Sequence, residues 1–224
     1  MVLVGKQAPD FTAKAVVSDS FVDYTLSSNW TAKSPKYTLL FFYPLDFTFV
    51  CPTEIIAFSD RVKEFEARNV QIVGVSIDSE YSHLAWKGTP RNQGGLGDIH
   101  YPLVADLKRE AMAAYDVVAD DGTAYRGLFL IDRKGIIRHA LVNDHPIGRS
   151  IDEALRTIDA YQYAEKHGEV CPADWKPGQM ALHADPVKSK AYFEANNTGN
   201  GKTKVTVKTT ATTSGKKAVG KQAW

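Results

Sequence analysis

The run Tyr37-Thr38-Leu39-Leu40-Phe41-Phe42-Tyr43, stopped by Pro44, constrains the fold of this chain more than any other stretch. It lacks polar alternation, so a strand made from it must be covered on both faces. Val70-Gln71-Ile72-Val73-Gly74-Val75-Ser76-Ile77 is a second such run, and Gly127-Leu128-Phe129-Leu130-Ile131 a third. The third turns through Asp132-Arg133-Lys134-Gly135 into Ile136-Ile137-Arg138-His139-Ala140-Leu141-Val142, its expected hairpin partner. Strands covered on both sides require helices. Ile55, Phe58, Val62 and Phe65 recur at spacings of three and four and predict one amphipathic helix over residues 52–68. Ser150-Ile151-Asp152-Glu153 is a capping box, followed by the stripe Ile151, Leu155, Ile158 and a stop at Gly168. Shorter helices are expected over 81–87 and 108–115. The order strand, helix, strand, then hairpin and helix predicts an α/β sheet with antiparallel members. From Cys171 onward Pro172, Pro177 and Pro186 punctuate the chain into an arm.

The 224 residues suffice for a full core without covalent staples. With 44% hydrophobic and 24% charged residues the composition is that of a globular chain. Two cysteines exclude a disulfide framework and a four-cysteine zinc site, but leave one bridge or one redox pair. The longest strongly apolar stretch, Leu39 to Leu45, falls far short of the roughly 20 residues of a membrane helix. Lys6 and Asp10 interrupt the N-terminus before a signal-like apolar region forms. The expectation is a cytoplasmic protein in a reducing compartment, with no membrane partner. Residues 196–224 carry six lysines and no acid, whereas the rest carries 21 basic against 26 acidic residues. That +6 segment is expected to be a mobile, solvated tail rather than a nucleic-acid contact. The six histidines show no metal-ligand spacing, so no metal is expected.

Cys51 follows a covered strand and a short loop, and Pro52 suits the first position of the next helix. The sulfur is thereby expected in a first helical turn, where unpaired N–H groups and the helix dipole favour a thiolate. Thr48 lies one turn back, with a hydroxyl able to reach the sulfur or a bound oxygen. Pro44 shields one side from water. Local physics alone does not separate this reactive reading from that of a buried, inert cysteine.

The spacing does. Pro44, Thr48 and Cys51 form the Pro-x-x-x-Thr-x-x-Cys pattern within Phe-Tyr-Pro-Leu-Asp-Phe-Thr-Phe-Val-Cys-Pro-Thr-Glu, and the chain resembles a typical two-cysteine peroxiredoxin. The resemblance covers about residues 4–195. It includes Gly5-Lys6-Gln7-Ala8-Pro9-Asp10-Phe11, His83-Leu84-Ala85-Trp86, Arg126-Gly127-Leu128-Phe129-Leu130-Ile131-Asp132 and Val170-Cys171-Pro172-Ala173-Asp174-Trp175. It implies a thioredoxin-like fold, a central mixed β-sheet flanked by helices, with a C-terminal arm. The implied division is a peroxidase domain over 1–165, an arm with the resolving cysteine over 166–195, and the tail over 196–224.

The implied activity is reduction of hydrogen peroxide and organic hydroperoxides by thiol chemistry, without metal, haem, flavin or other cofactor. Arg126, otherwise an exposed charge at a strand entrance, is placed by the resemblance beside Cys51 and the peroxide oxygens. Glu54 becomes an orienting partner of such arginines, as well as a carboxylate at a helix N-terminus. Cys171 matches the resolving cysteine. The sequence leaves open whether the two sulfurs meet within one chain; the resemblance implies a partner subunit, a homodimer and assembly to a decamer. The implied reductant is thioredoxin or a dedicated flavoprotein. Gly94-Gly95-Leu96-Gly97, on its own a flexible loop, and Tyr192-Phe193 resemble the paired motif that packs the arm over the active-site helix. A thioredoxin-type disulfide oxidoreductase would need a second cysteine where Glu54 stands. An oligomeric holdase chaperone or peroxide sensor on the same scaffold is the alternative.

Overall fold

The computed structural model describes residues 2–196; the expected basic tail, beyond Asn196, lies outside them. The strands are β1 (Thr12–Val17), β2 (Ser20–Thr25), β3 (Tyr37–Phe42), β4 (Val70–Ser76), β5 (Leu103–Ala105), β6 (Arg126–Ile131) and β7 (Ile137–Asn143). The helices are α1 (Ser28–Thr31), α2 (Val50–Asp60), α3 (Val62–Glu66), α4 (Glu80–Gly88), α5 (Glu110–Ala114), α6 (Ile151–His167) and α7 (Lys190–Asn196). One seven-stranded sheet runs β2-β1-β5-β4-β3-β6-β7. β3, β4 and β5 are parallel, and the remaining pairs are antiparallel.

The apolar run that opened the sequence is β3, near the middle of the sheet and buried at every position. Its alternate residues feed two cores. Tyr37, Leu39 and Phe41 join Cys51, Ile55, Phe58, Trp86, Leu155 and Ile158 on one face. Leu40 and Phe42 join Met112, Tyr115, Phe129 and Ile131 on the other. Phe41 stacks on Phe58 with ring centres 5.0 Å apart, which fixes α2 over β3.

Four readings change. The expected helix over 52–68 is two, because Arg61 leaves helical geometry at φ −108°, ψ 13°. The break lets α2 pack on α6 while α3 packs on β4, and the Arg61 guanidinium bridges Glu64 and Asp152 across it. The helix expected over 108–115 shrinks to α5, since Arg109 sits at φ 59° and the Asp106 carboxylate accepts from the N–H groups of Ala111 and Met112. The segment Gly94-Gly95-Leu96-Gly97 is a fixed turn rather than a flexible loop. A Cβ on Gly95 would lie 1.9 Å from the Thr89 carbonyl oxygen, and Trp86 Nε1 donates to Gly94 O at 2.8 Å. Finally, β1, β2, β5, α1 and α7 carried no sequence signal; β5 has only three residues.

The arm leaves α6 at Gly168 and pairs Val170 with Leu182. No residue of α7 is buried, and Phe193 is half exposed. Among the described residues no hydrogen bond or ring contact joins Tyr192 or Phe193 to the 94–97 turn. No helix among the described residues is long and apolar enough to cross a membrane.

Candidate active site

Pro44, buried, ends β3 and opens the loop that leads into α2. Asp46 fastens that loop. Its carboxylate accepts from Tyr43 OH at 2.9 Å and Ser82 Oγ at 2.8 Å, and faces His83 Nδ1 at 2.8 Å. Its N–H donates to Asp78 at 2.8 Å. Burial, then the Asp46 charge, hold the Tyr43 phenol well above its ordinary range, so it remains a donor to that carboxylate. The next residue, Phe47, takes the left-handed conformation at φ 55°, a strained setting for a bulky side chain. Its ring packs 5.6 Å from that of Trp86.

The helix begins at Val50, two residues before the expected start, so Cys51 is its second residue and Pro52 its third. Pro52 still falls in the first turn, where a missing N–H breaks no helical bond. The Cys51 side chain is buried in the core between α2 and the sheet. Thr48 does not bond the sulfur: its hydroxyl donates to Leu45 O at 2.9 Å, which leaves its lone pairs as acceptors.

The sulfur's polar neighbour comes from β6. Arg126 is buried, not exposed, and its Nη1 lies 3.4 Å from Cys51 Sγ and 2.7 Å from Glu54 Oε2. Its Nε donates to His145 O at 2.7 Å. Glu54, one turn after Cys51, also receives Arg149: the Arg149 backbone N–H at 2.7 Å, Nε at 2.8 Å and Nη2 at 2.9 Å. Arg149 Nη1 reaches the carbonyls of Phe42 and Gly127, and its guanidinium lies over the Phe41 ring. Two buried guanidinium groups thus share one carboxylate. The three carry a formal +1, and the Cys51 sulfur lies against it, 3.4 Å from Arg126 Nη1. Such a cluster presents fixed N–H donors where negative charge would develop on an oxygen held against the sulfur.

Arg149 was absent from the sequence reading. Its partners come from β3, α2 and β6, so no local spacing announced it. Ser150 beside it read only as a helix cap, which it is: Ser150 Oγ accepts from Glu153 N–H at 3.2 Å.

Cys171 is not at this site. Its Sγ donates to Ala160 O at 3.4 Å, on the later half of α6, whereas Glu54 grips Arg149 just before that helix begins. About 15 Å of helix, at about 1.5 Å per residue, separates the two anchors. A disulfide needs Cα atoms within about 7 Å. Both thiols are free. No group of three or more metal-ligating side chains occurs among the described residues.

A family model described as the AhpC/TSA family matches residues 4–140, and one described as the C-terminal domain of 1-Cys peroxiredoxin matches residues 160–195. The chain is 55% identical over 193 residues to a 2-cysteine peroxiredoxin, chloroplastic, of Chattonella marina var. antiqua, covering 86% of this chain and 97% of that one. It is 53% identical over 195 residues to Peroxiredoxin-2 of Mus musculus, covering 87% and 96%. The reduced 2-Cys peroxiredoxin of Plasmodium vivax superposes with a TM-score of 0.83 at 46% identity, over 87% of this chain and 100% of that one.

Proposed function

The chain belongs to the AhpC/TSA family as a two-cysteine peroxiredoxin, a thiol-dependent peroxidase with a thioredoxin-like fold, and from that premise we propose that Cys51 is its peroxide-attacking thiol. The observation that carries the proposal is the Arg126 guanidinium 3.4 Å from the sulfur, oriented by Glu54. The Cys51 thiolate attacks the hydroxyl oxygen of a peroxide, the O–O bond breaks, and sulfur loses two electrons to become the sulfenic acid Cys51–SOH. The departing oxygen leaves as alkoxide or hydroxide and takes up a proton. Arg126 stabilises its charge, and Thr48, with its own proton committed to Leu45, accepts from the peroxide O–H and holds the O–O axis in line. Pro44 covers the site, and Arg149 positions Glu54.

Cys171 of a partner subunit resolves the intermediate. Its thiolate displaces hydroxide from the sulfenic sulfur, giving an intersubunit disulfide and water, and an external dithiol of thioredoxin type reduces it. The distance between the two anchors within one chain supports an intersubunit route. β7 is the last strand of the sheet; Ile137 at its start exchanges backbone hydrogen bonds with Gly5 and Lys6, and the edge beyond it is a surface on which a second copy could add strands. Hydrogen peroxide and organic hydroperoxides are the proposed substrates, in a homodimer that assembles further to a decamer. The body over 1–165 does the chemistry and the arm over 166–195 delivers the second thiol. Two free thiols fit a reducing, cytoplasmic setting.

The test is peroxide turnover with thioredoxin, thioredoxin reductase and NADPH as sole electron source. Wild type should cycle. Cys51→Ser should consume no peroxide, and Cys171→Ser should react once and stop. Full turnover by Cys51→Ser would overturn the assignment.

A further inference from the structure

We propose that Glu169 is a positioning residue for the second half of the reaction: it clasps the arm against α6 and holds Cys171 docked on that helix until the arm is released. The proposal rests on the reading of Cys171 as the resolving thiol and specifies what controls it.

The arm between Val170 and Leu182 is a closed lobe. Val170 N–H donates to Leu182 O at 2.8 Å, and Leu182 N–H returns to Val170 O at 3.1 Å. Trp175 fills the inside, only 2% exposed, with its ring 4.8 Å from that of Tyr163 and its Nε1 donating to Gln179 O. Glu169 stands at the hinge between Gly168, which ends α6, and the Val170–Leu182 pair. Its Oε2 accepts from Tyr163 OH at 2.6 Å, and its Oε1 faces His183 Nε2 at 3.5 Å. One carboxylate therefore ties the helix to both ends of the lobe.

The same carboxylate bears on the sulfur's protonation. Cys171 donates its S–H to a helix carbonyl, a contact that a thiolate would turn into a repulsion. Burial, first, and the Glu169 charge push this thiol above its usual range, with Arg156 opposing them. The charged and titratable groups that act on it among the described residues are Arg156 and Tyr163 on α6 and Glu169 on the arm, with Asp174 acting on Arg156, His167 stacked on Tyr163 and His183 facing Glu169. Arg156, held bidentate by Glu153 and donating to Trp175 O, opposes more strongly than Glu169 supports, so burial sets the net direction and the Glu169 charge adds to it. A docked Cys171 is consequently a poor nucleophile, since attack on Cys51–SOH requires the thiolate. Release of the lobe exposes the sulfur and removes the Glu169 charge together. Until then the sulfenic acid persists, open to a second peroxide.

The experiment oxidises reduced full-length protein with one equivalent of hydrogen peroxide and follows tryptophan fluorescence by stopped flow between pH 6 and about pH 9. The first, peroxide-dependent phase reports a folded active site; the second reports the disulfide. Glu169→Gln, which preserves an acceptor for Tyr163 but removes the charge, should move the midpoint of the second phase down. At pH 7 that phase should run roughly three- to tenfold faster. Tyr163→Phe, which keeps the ring against Trp175 but loosens the clasp, should speed the second phase with little change in its midpoint. An unaltered second phase in both variants would overturn the proposal. A second phase surviving in Cys171→Ser would instead overturn the reading of Cys171 itself.

Discussion

Glu54 is the point on which Arg126 and Arg149 converge, and its substitution separates structural from chemical roles. Glu54→Gln would leave two buried guanidinium groups sharing a neutral amide, and breaking a buried pair of this kind costs about 3–5 kcal/mol. We expect a lower urea midpoint together with lost peroxidase activity. Arg126→Lys, by contrast, keeps a charge but cannot hold Glu54, His145 O and the sulfur at once. Its kcat/KM for hydrogen peroxide should fall about 10²–10³-fold with stability changed much less, as for loss of one donor at a developing oxyanion. Retained kcat/KM would show that Arg126 does not touch the reacting oxygens. Cys51 was legible from its helix-start position together with its spacing to Thr48 and Pro44, and Glu54 by itself only as a carboxylate near a helix N-terminus, its orienting role coming from the resemblance. Arg126 was legible only through its motif, since an arginine at a strand entrance is ordinarily exposed. Arg149 was not legible at all, because three remote segments supply its acceptors.

Among the elements, the turn between β6 and β7 was read correctly from Asp132-Arg133-Lys134-Gly135, and the structure gives its reason. The buried Asp132 carboxylate accepts from the N–H groups of Lys134 and Ile136 and from Arg138 Nε. Burial pushes this carboxyl up, but those hydrogen bonds outweigh it and the net direction is down. With a folded-state value below the unfolded one of about 3.9, its contribution to stability is present above about pH 4. That contribution is lost as the pH falls through the folded value. Asp132→Asn should therefore reduce stability at pH 7 and show a smaller loss between pH 4 and about pH 2 than wild type, measured by urea unfolding. Equal losses over that window would mean Asp132 is not the linked group. The other element that matters is the first turn of α2. Cys51 is buried there, so the turn must unwind before the sulfur meets a partner's thiol. Raising peroxide during turnover should add two oxygens to the Cys51 peptide, read by mass spectrometry. A Cys51 peptide that stays unmodified at high peroxide would show that unwinding outruns the second oxidation.

At the scale of the molecule, the Ala160 carbonyl that holds Cys171 stands about 15 Å along α6 from Arg149, which grips Glu54 one turn from Cys51, and this supports an intersubunit product. One equivalent of peroxide should yield a covalent dimer on a non-reducing denaturing gel, abolished by Cys51→Ser and by Cys171→Ser. Oxidised chains running only as monomers would mean that the arm crosses its own subunit. α7 belongs to the same scale. Among the described residues nothing buries any side chain of this helix, and Phe193 is half exposed.

What the sequence by itself determined is whatever depends on neighbours along the chain. The covered strands β3, β4 and β6 followed from unbroken apolar runs, α6 from its capping box and stripe, and Cys51 in a helical first turn from the strand, loop and proline around it. The tertiary structure decided what depends on residues brought together from afar. It made β5 a strand, although three residues carry no period of their own, because β1 and β4 lie on either side of it. It broke the 52–68 helix at Arg61, since one end packs on α6 and the other on β4. It placed Arg149 on Glu54, and the Cys171 arm against Tyr163 through Glu169. Periodicity records which side of an element is buried; it carries no record of which distant charge is waiting there.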